Sequence, residues 1–356
     1  MASRSWRSIP CKVNQIRLDI ILMSGQSFRW RQTGDKEWTS VLKGKVWTLT
    51  QDEQNILYRV CEPQKVFAET KKSSKKSTKK PNTSIANLIL GEENDVILRD
   101  YFQLDIDLSK LYSKWTEVDP YFSKICKVFP GVRALRQDPL ENLFSFICSS
   151  NNNISRITGM VEKLCVLYGE KVIELNGVEY FSFPDVSALA GPKVEQQLRA
   201  HGFGYRAKYI QQSAKVIQAK GKDWLMGLRD VGYEDAHKAL CELPGVGSKV
   251  ADCVCLMSLD KTNAIPVDTH VWQITEKYYM KNLSKTKSLT DKLYKQIGDY
   301  YREIFGDFAG WAQFVLFSAD LKKFQNMQDS TDRQISQKRA SSMEQEVERT
   351  KKSKKQ

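Results

Sequence analysis

Lys249 and Asp268 are the residues of this chain whose type and setting point most directly to chemistry. Lys249 lies within Leu243-Pro244-Gly245-Val246-Gly247-Ser248-Lys249-Val250-Ala251-Asp252. An apolar segment, Ala236 to Leu243, runs into Pro-Gly-Val-Gly, and apolar residues at helical spacing resume through Val250, Cys253, Val254 and Met257. The pattern predicts a helix, a tight glycine turn and a second helix with the lysine in its first turn. Gly245 and Gly247 remove side chains where backbone N–H groups can approach a phosphate, and the start of a helix adds a positive dipole end. Such a turn grips a nucleic-acid backbone without reading bases. A lysine in that first turn brings a candidate amine nucleophile to the same place. A lysine in a first turn also fits an ordinary solvated position, so a second group is needed to make a site. Asp268 supplies it, in Ile265-Pro266-Val267-Asp268-Thr269-His270, where a loop containing Pro266 meets a helix through Val271, Trp272 and Ile274. There it fits an N-cap, a role that also aims its carboxylate rigidly.

The elements that must position these residues fall into two regions. Short β-branched and aromatic runs, Trp38 to Leu42, Val46 to Thr50 and Ile56 to Val60, are broken at Lys43-Gly44-Lys45 and Asp52-Glu53 and predict an antiparallel meander. From about Tyr112 the pattern turns helical. Asp138-Pro139-Leu140-Glu141 offers a cap, a first-turn proline and an acidic first turn for a helix through Phe144 and Ile147, and Asn151 to Asn153 stop it. Further helices are predicted over 156–168, 186–190, 194–200, 205–219, 233–241, 249–259, 268–279, 290–305 and 308–320. The fold class expected is α+β: an N-terminal antiparallel β domain over 1–115 with a disordered Lys-rich insertion near 70–84, and a helical region over 116–322, followed by a disordered basic tail over 323–356.

The chain has 356 residues and 41% apolar content, ordinary for a soluble globular protein with room for two or three subdomains. No apolar run approaches membrane-spanning length, so no membrane role is expected. The net charge of +13 is unevenly spread: the ten residues from Lys71 to Lys80 hold six lysines and no acid, and the segment from Lys322 to Gln356 carries +5. These two account for +11, leaving +2 for the rest, so a nucleic-acid surface must be a local patch. Both segments are too polar to bury a core and fit disordered DNA tethers or nuclear-import signals, the closing Lys351-Lys352-Ser353-Lys354-Lys355 above all. Arg4, Arg7, Lys12 and Arg17 precede the first acid, Asp19, a pattern compatible with a mitochondrial presequence, and no secretory h-region is seen. The expected location is the nucleus, with the mitochondrion as a second site. Eight cysteines (Cys11, Cys61, Cys126, Cys148, Cys165, Cys241, Cys253 and Cys255) show no disulfide framework and suit a reducing compartment.

The lysine motif followed by Val-Asp-x-His resembles the helix–hairpin–helix glycosylase superfamily in its lysine-bearing branch. Ser24-Gly25-Gln26-Ser27-Phe28-Arg29-Trp30, Cys148-Ser149-Ser150-Asn151-Asn152-Asn153-Ile154, Gly202-Phe203-Gly204-Tyr205-Arg206-Ala207 and Gly310-Trp311-Ala312-Gln313 narrow the resemblance to the eukaryotic-type 8-oxoguanine DNA glycosylase family, over residues 6–322. The resemblance implies a TATA-binding-protein-like sheet for the N-terminal domain. It implies removal of 8-oxoguanine and ring-opened purines opposite cytosine in double-stranded DNA by a monomeric enzyme, with Lys249 attacking C1′ to form a Schiff base, Asp268 stabilising the cationic sugar, and β-elimination then nicking the strand. Substrate contacts fall to Gly25, Cys253, Pro266, Gln313 and Phe317. DNA contacts fall to Asn151, Arg156, Tyr205, Arg206, Gly245, Gly247, Val250 and His270, with Tyr205 as a wedge beside the estranged cytosine. No metal ligands or cofactors are expected: no cysteine follows Asp268, where related endonucleases hold a four-cysteine iron–sulfur cluster, although a structural cation on hairpin carbonyls is implied. Two other readings remain open at this point, a glycosylase for another damaged base and a nonenzymatic helix–hairpin–helix DNA-binding module.

Overall fold

The computed structural model describes residues 5–62, 83–221, 223–281, 283, 288–325 and 327. The basic stretch at Lys71–Lys80 and nearly all of the basic tail lie outside these. The N-terminal sheet has five antiparallel strands: β1 (Arg7–Pro10), β2 (Arg31–Gly34), β3 (Glu37–Leu42), β4 (Lys45–Gln51) and β5 (Asn55–Cys61), in spatial order β1-β5-β4-β3-β2. The expected meander is β3-β4-β5, and the register pairs Leu42 with Lys45 across the two-residue turn Lys43-Gly44. Both turn residues have positive φ, +50° and +71°, the geometry whose twist matches a hairpin. The two flanking strands were not legible in the sequence. Each has four residues, one ending in Pro10 and the other in Gly34, which suits edge positions and leaves no β-branched run.

Most buried side chains of sheet and helices form one cluster, from Trp47 and Tyr58 in the sheet to Phe144, Val254 and Trp311 in the helical region. The expected division near residue 115 falls inside helix Leu108–Val118, whose buried Trp115 packs edge-on against Phe122 and Phe305. Arg133 ties the N-terminal segment to the helices. Its fully buried guanidinium donates to the carbonyls of Gln15, Phe102, Gln103 and Ile106, and this burial pulls its pKa down to about 10. Helical structure starts earlier than the sequence pattern predicted, with helix Thr83–Tyr101 inside the expected β domain and overlapping the end of the expected insertion; the region beyond is helical as expected, with one addition. Strands β6 (Lys171–Leu175) and β7 (Val178–Phe181) form a hairpin around Asn176-Gly177, and Tyr180 packs on Val41 and Val46 of the main sheet. The signal was present in the sequence: Asn-Gly between β-branched runs is a strong hairpin marker, and both residues adopt the positive φ it requires.

Candidate active site

Helix Tyr233–Cys241, the turn through Gly245 and helix Ser248–Ser258 form the expected helix–hairpin–helix, with Lys249 the second residue of the second helix. Gly245 sits at φ +81°, and a Cβ there would come within 2.5 Å of the Tyr209 ring, so this turn is pressed against helix Arg206–Lys220. Gly247 faces open space and, as N-cap, supplies no side-chain acceptor. The first N–H groups of the lysine helix are therefore left for solvent or an anion.

Asp268 is the N-cap of helix Thr269–Ile274, its Oδ1 accepting the Val271 N–H at 2.9 Å. It is half-buried, as is Lys249. The two share a cleft of about 1490 Å³ and make no ion pair. Lys249 Nζ donates to Ser149 Oγ at 3.2 Å and lies 4.9 Å from the centre of the Phe146 ring. Ser149 Oγ donates in turn to the Phe146 carbonyl at 2.7 Å, which commits its proton and leaves a lone pair for the lysine. The Cys253 thiol is buried beside both groups. Burial pushes it up to about 12, opposed by Lys249 and reinforced by Asp268, so it stays a neutral, soft contact surface at neutral pH.

Ten further candidates line the same cleft: Gly25, Asn151, Gly245, Gly247, Val250, Cys253, Pro266, His270, Gln313 and Phe317. Gln313 is 3% exposed on helix Ala309–Asp320, and its amide has no hydrogen-bond partner among the described residues. Gln313 lines the cleft, so this amide is open to it and available to a ligand. Phe317 is half-buried one turn later, stacked on Phe314 and met edge-on by His270, whose Nδ1 is 3.1 Å from Asp320 Oδ2. Gly25 holds φ +83° at the cleft wall, where an added Cβ would stand 3.1 Å from Ile154 Cδ1. Its neighbour fixes it there: Gln26, fully buried, bonds the Arg133 carbonyl and the Leu135 N–H, and its own carbonyl receives Gln137 Nε2.

Three candidates lie off the cleft lining. Arg156 is exposed at the first turn of helix Ile154–Tyr168, capped by Asn153. Tyr205 is 46% exposed and its hydroxyl meets Ser150 Oγ and the Ser150 carbonyl, both at 3.1 Å. Arg206 is 4% exposed, donating to the carbonyls of Ser150 and Asn151 beneath the loop rather than facing the cleft. The loop it supports carries Asn151 at φ +46°. Sequence reasoning missed Phe146, Ser149, Met257, Lys322 and Lys323, which also line the cleft. Ser149 stood inside a motif already singled out, but nothing local ties its hydroxyl to a lysine one hundred positions away. Among the described residues no group of three or more His, Cys, Asp or Glu side chains is placed to hold a metal, and no helix is long and apolar enough to cross a membrane.

A helix–hairpin–helix carrying a lysine thus faces an aspartate cap across one cleft, the arrangement that the resemblance to lysine-bearing DNA glycosylases implies. Residues 8–143 match the family model of the 8-oxoguanine DNA glycosylase N-terminal domain, and residues 144–299 match that of the HhH-GPD superfamily of base excision DNA repair proteins. The chain is 38% identical to N-glycosylase/DNA lyase OGG1 of Arabidopsis thaliana, over 89% of this chain and 80% of that protein. It is 34% identical to the N-glycosylase/DNA lyase of Saccharomyces cerevisiae, over 86% of this chain and 84% of that one. The Clostridium acetobutylicum 8-oxoguanine glycosylase/lyase, solved with double-stranded DNA containing cytosine opposite 8-oxoguanine, superposes with a TM-score of 0.67 at 27% identity, over 85% and 91% of the two chains. The chain belongs to the 8-oxoguanine DNA glycosylase family of N-glycosylase/DNA lyases.

Proposed function

We propose that this protein excises 8-oxoguanine opposite cytosine from duplex DNA and then nicks the strand, using Lys249 as nucleophile and Asp268 as electrostatic partner. The observation that carries this reading is the single cleft shared by Lys249, Asp268, the unpartnered Gln313 amide and Phe317. Its volume, about 1490 Å³, exceeds the roughly 300–1,000 Å³ of ordinary small-molecule pockets and suits a nucleotide turned out of a duplex.

In the reaction, breaking the bond from base to C1′ develops positive charge on the sugar. The Lys249 amine, once it has lost its proton, attacks C1′, and the base leaves with the bonding pair and takes up a proton. Opening of the sugar ring gives an iminium, which acidifies the C2′ proton. Loss of that proton expels the 3′-phosphate by β-elimination, and water then releases the enzyme from the imine. Asp268 lowers the energy of the cationic sugar; fixed charges in water-poor sites contribute several kcal/mol, on the order of 10²–10³-fold in rate.

Recognition follows from the remaining groups. The Gly25 carbonyl meets the N7–H that distinguishes the oxidised base, Gln313 reads its Watson–Crick edge, and Phe317 and Cys253 cover its two faces, with Pro266 beside them. Tyr205 wedges beside the estranged cytosine, for which Asn151 and Arg156 offer hydrogen bonds. Arg206 supports Asn151 from beneath and must release the Ser150 and Asn151 carbonyls to meet that base itself. Gly245, Gly247, Val250 and His270 face phosphates. The structural cation that the resemblance implies would rest on hairpin carbonyls. Those of Cys241 and Val246 accept no hydrogen bond among the described residues, while those of Leu243 and Pro244 are taken by Val246 N–H and Ser213 Oγ. Such oxygens suit a hard cation, whose charge would add to the pull on the backbone phosphate. Nuclear import and DNA tethering are assigned to the basic segments outside the described residues.

Borohydride trapping on a duplex containing 8-oxoguanine opposite cytosine tests the reading. Wild type is expected to give a covalent adduct and Lys249→Gln none. An adduct of undiminished yield from Lys249→Gln would refute it.

A further inference from the structure

Nothing holds Lys249 and Asp268 to each other directly: the amine rests on Ser149 and the carboxylate on the Val271 N–H. Their separation is a property of the backbone that carries them. Asp268 ends the irregular segment 264–268, which belongs to no helix or strand. Side chains of helix Asp291–Phe305 hold this stretch and the residue just before it by the backbone. Arg302 donates to the Asn263 carbonyl at 3.3 Å, and the Tyr294 hydroxyl receives the Val267 N–H at 3.3 Å and lies 3.2 Å from the Ile265 carbonyl.

Tyr294 is itself bound to the lysine helix. Its hydroxyl donates to Asp252 Oδ2 at 2.5 Å, and Asp252 stands three residues past Lys249 on the same helix. Asp252 is 1% exposed, its other oxygen accepts the Tyr233 hydroxyl at 2.7 Å, and His237 Nε2 is 3.8 Å away. A carboxylate so deeply buried costs several kcal/mol unless its hydrogen bonds compensate, and it touches neither cleft nor solvent. A phenol has one proton. Directed at Asp252, that proton leaves the Tyr294 lone pairs for the Val267 N–H, one residue before the catalytic aspartate. A chain of two hydrogen bonds thus runs from the lysine helix to the backbone N–H of Val267, the residue before Asp268.

We propose that Asp252 and Tyr294 are a positioning pair: the carboxylate on the lysine helix fixes the tyrosine, and the tyrosine fixes the segment ending in Asp268, so that amine and carboxylate stand at a set separation across the reacting sugar. The proposal rests on the roles given above to Lys249 and Asp268. Tyr233 is the internal control, because it bonds the same carboxylate and touches no atom of the segment in the hydrogen bonds described.

The test uses the full-length protein and a duplex with 8-oxoguanine opposite cytosine, measuring excision under single turnover at saturating enzyme, DNA affinity and thermal unfolding. Tyr294→Phe is expected to bind the duplex with nearly unchanged Kd and to excise more slowly, by on the order of 10²-fold, the scale of a misplacement near 1 Å. Tyr233→Phe is expected to excise at the wild-type rate. A wild-type rate for Tyr294→Phe, or equal slowing in both tyrosine variants, would overturn the pairing. If Tyr294→Phe does not fold, Asp252→Asn is judged by the same criterion: slowed excision at unchanged Kd supports the pair, and a wild-type rate removes it. Lys249→Gln in the same series separates the two ideas. An adduct that survives Lys249→Gln removes the reading of the site, whereas loss of that adduct beside a wild-type rate for Tyr294→Phe removes only the brace.

Discussion

Asp268 performs two jobs that substitution can separate. Its Oδ1 caps helix Thr269–Ile274 by accepting the Val271 N–H at 2.9 Å, and its charge faces the cleft that holds Lys249. Asparagine caps a helix about as well as aspartate, so Asp268→Asn keeps the hydrogen bond and removes only the charge; alanine removes both. The lost cap costs about 1 kcal/mol, which for a chain of this size lowers Tm by about 2 °C. The lost charge is worth on the order of 10²–10³-fold in rate, the range found for other preorganised electrostatic groups. Wild type and Asp268→Asn should therefore melt together while Asp268→Ala melts lower, yet both variants should excise 8-oxoguanine with similarly reduced single-turnover rates. DNA affinity should change little in either. Calorimetry and single-turnover kinetics on the same preparations decide the matter. Excision by Asp268→Asn within a few-fold of wild type, or rates that follow Tm across the three proteins, would refute the electrostatic role.

Gly25→Ala must hold an alanine at φ +83° and push Ile154 away from a Cβ 3.1 Å distant. The left-handed backbone alone costs about 1–2 kcal/mol, and the displaced carbonyl should slow excision by roughly tenfold or more, read by single-turnover kinetics; an unchanged rate would remove Gly25 from base recognition. Asp260, at φ +61°, accepts two hydrogen bonds of 2.7 Å from Arg136. Burial alone would raise its carboxyl, but the Arg136 hydrogen bonds and the charges of Arg136, Arg229 and Lys261 outweigh it and hold the pKa below the usual carboxylate value. A depressed folded pKa stabilises above the unfolded value and is lost as pH falls through the folded one. Asp260→Asn tolerates the left-handed backbone, so it should be less stable than wild type at neutral pH, with the gap narrowing as the pH drops below about 4. Chemical denaturation across that range checks this, and a gap independent of pH would count against it.

Much of the site was legible because its parts depend on local rules. A glycine turn between two apolar periodicities, a lysine in the first turn and an Asp before Thr-His-Val each specify geometry within a few residues, and the structure places each on the expected element. The meander strands were legible for the same reason. The four-residue edge strands were not: β1 pairs with β5, distant in sequence, and β2, though paired with the adjacent β3, is Arg-Gln-Thr-Gly and offers no β-branched or aromatic run.

By itself the sequence determined the periodicities, the caps and turns, the residue types capable of chemistry and the concentration of charge in two polar segments, since these follow from side-chain chemistry at short range. Tertiary structure alone decided which of those groups share a cleft. It turned Arg206 inward under the Ser150–Asn151 loop, set Ser149 against Lys249, and linked Asp252 through Tyr294 to Val267. Each of these contacts joins residues tens of positions apart. A hydrogen bond across such a distance exists only after packing has brought its partners together, and nothing in the local chain encodes the meeting.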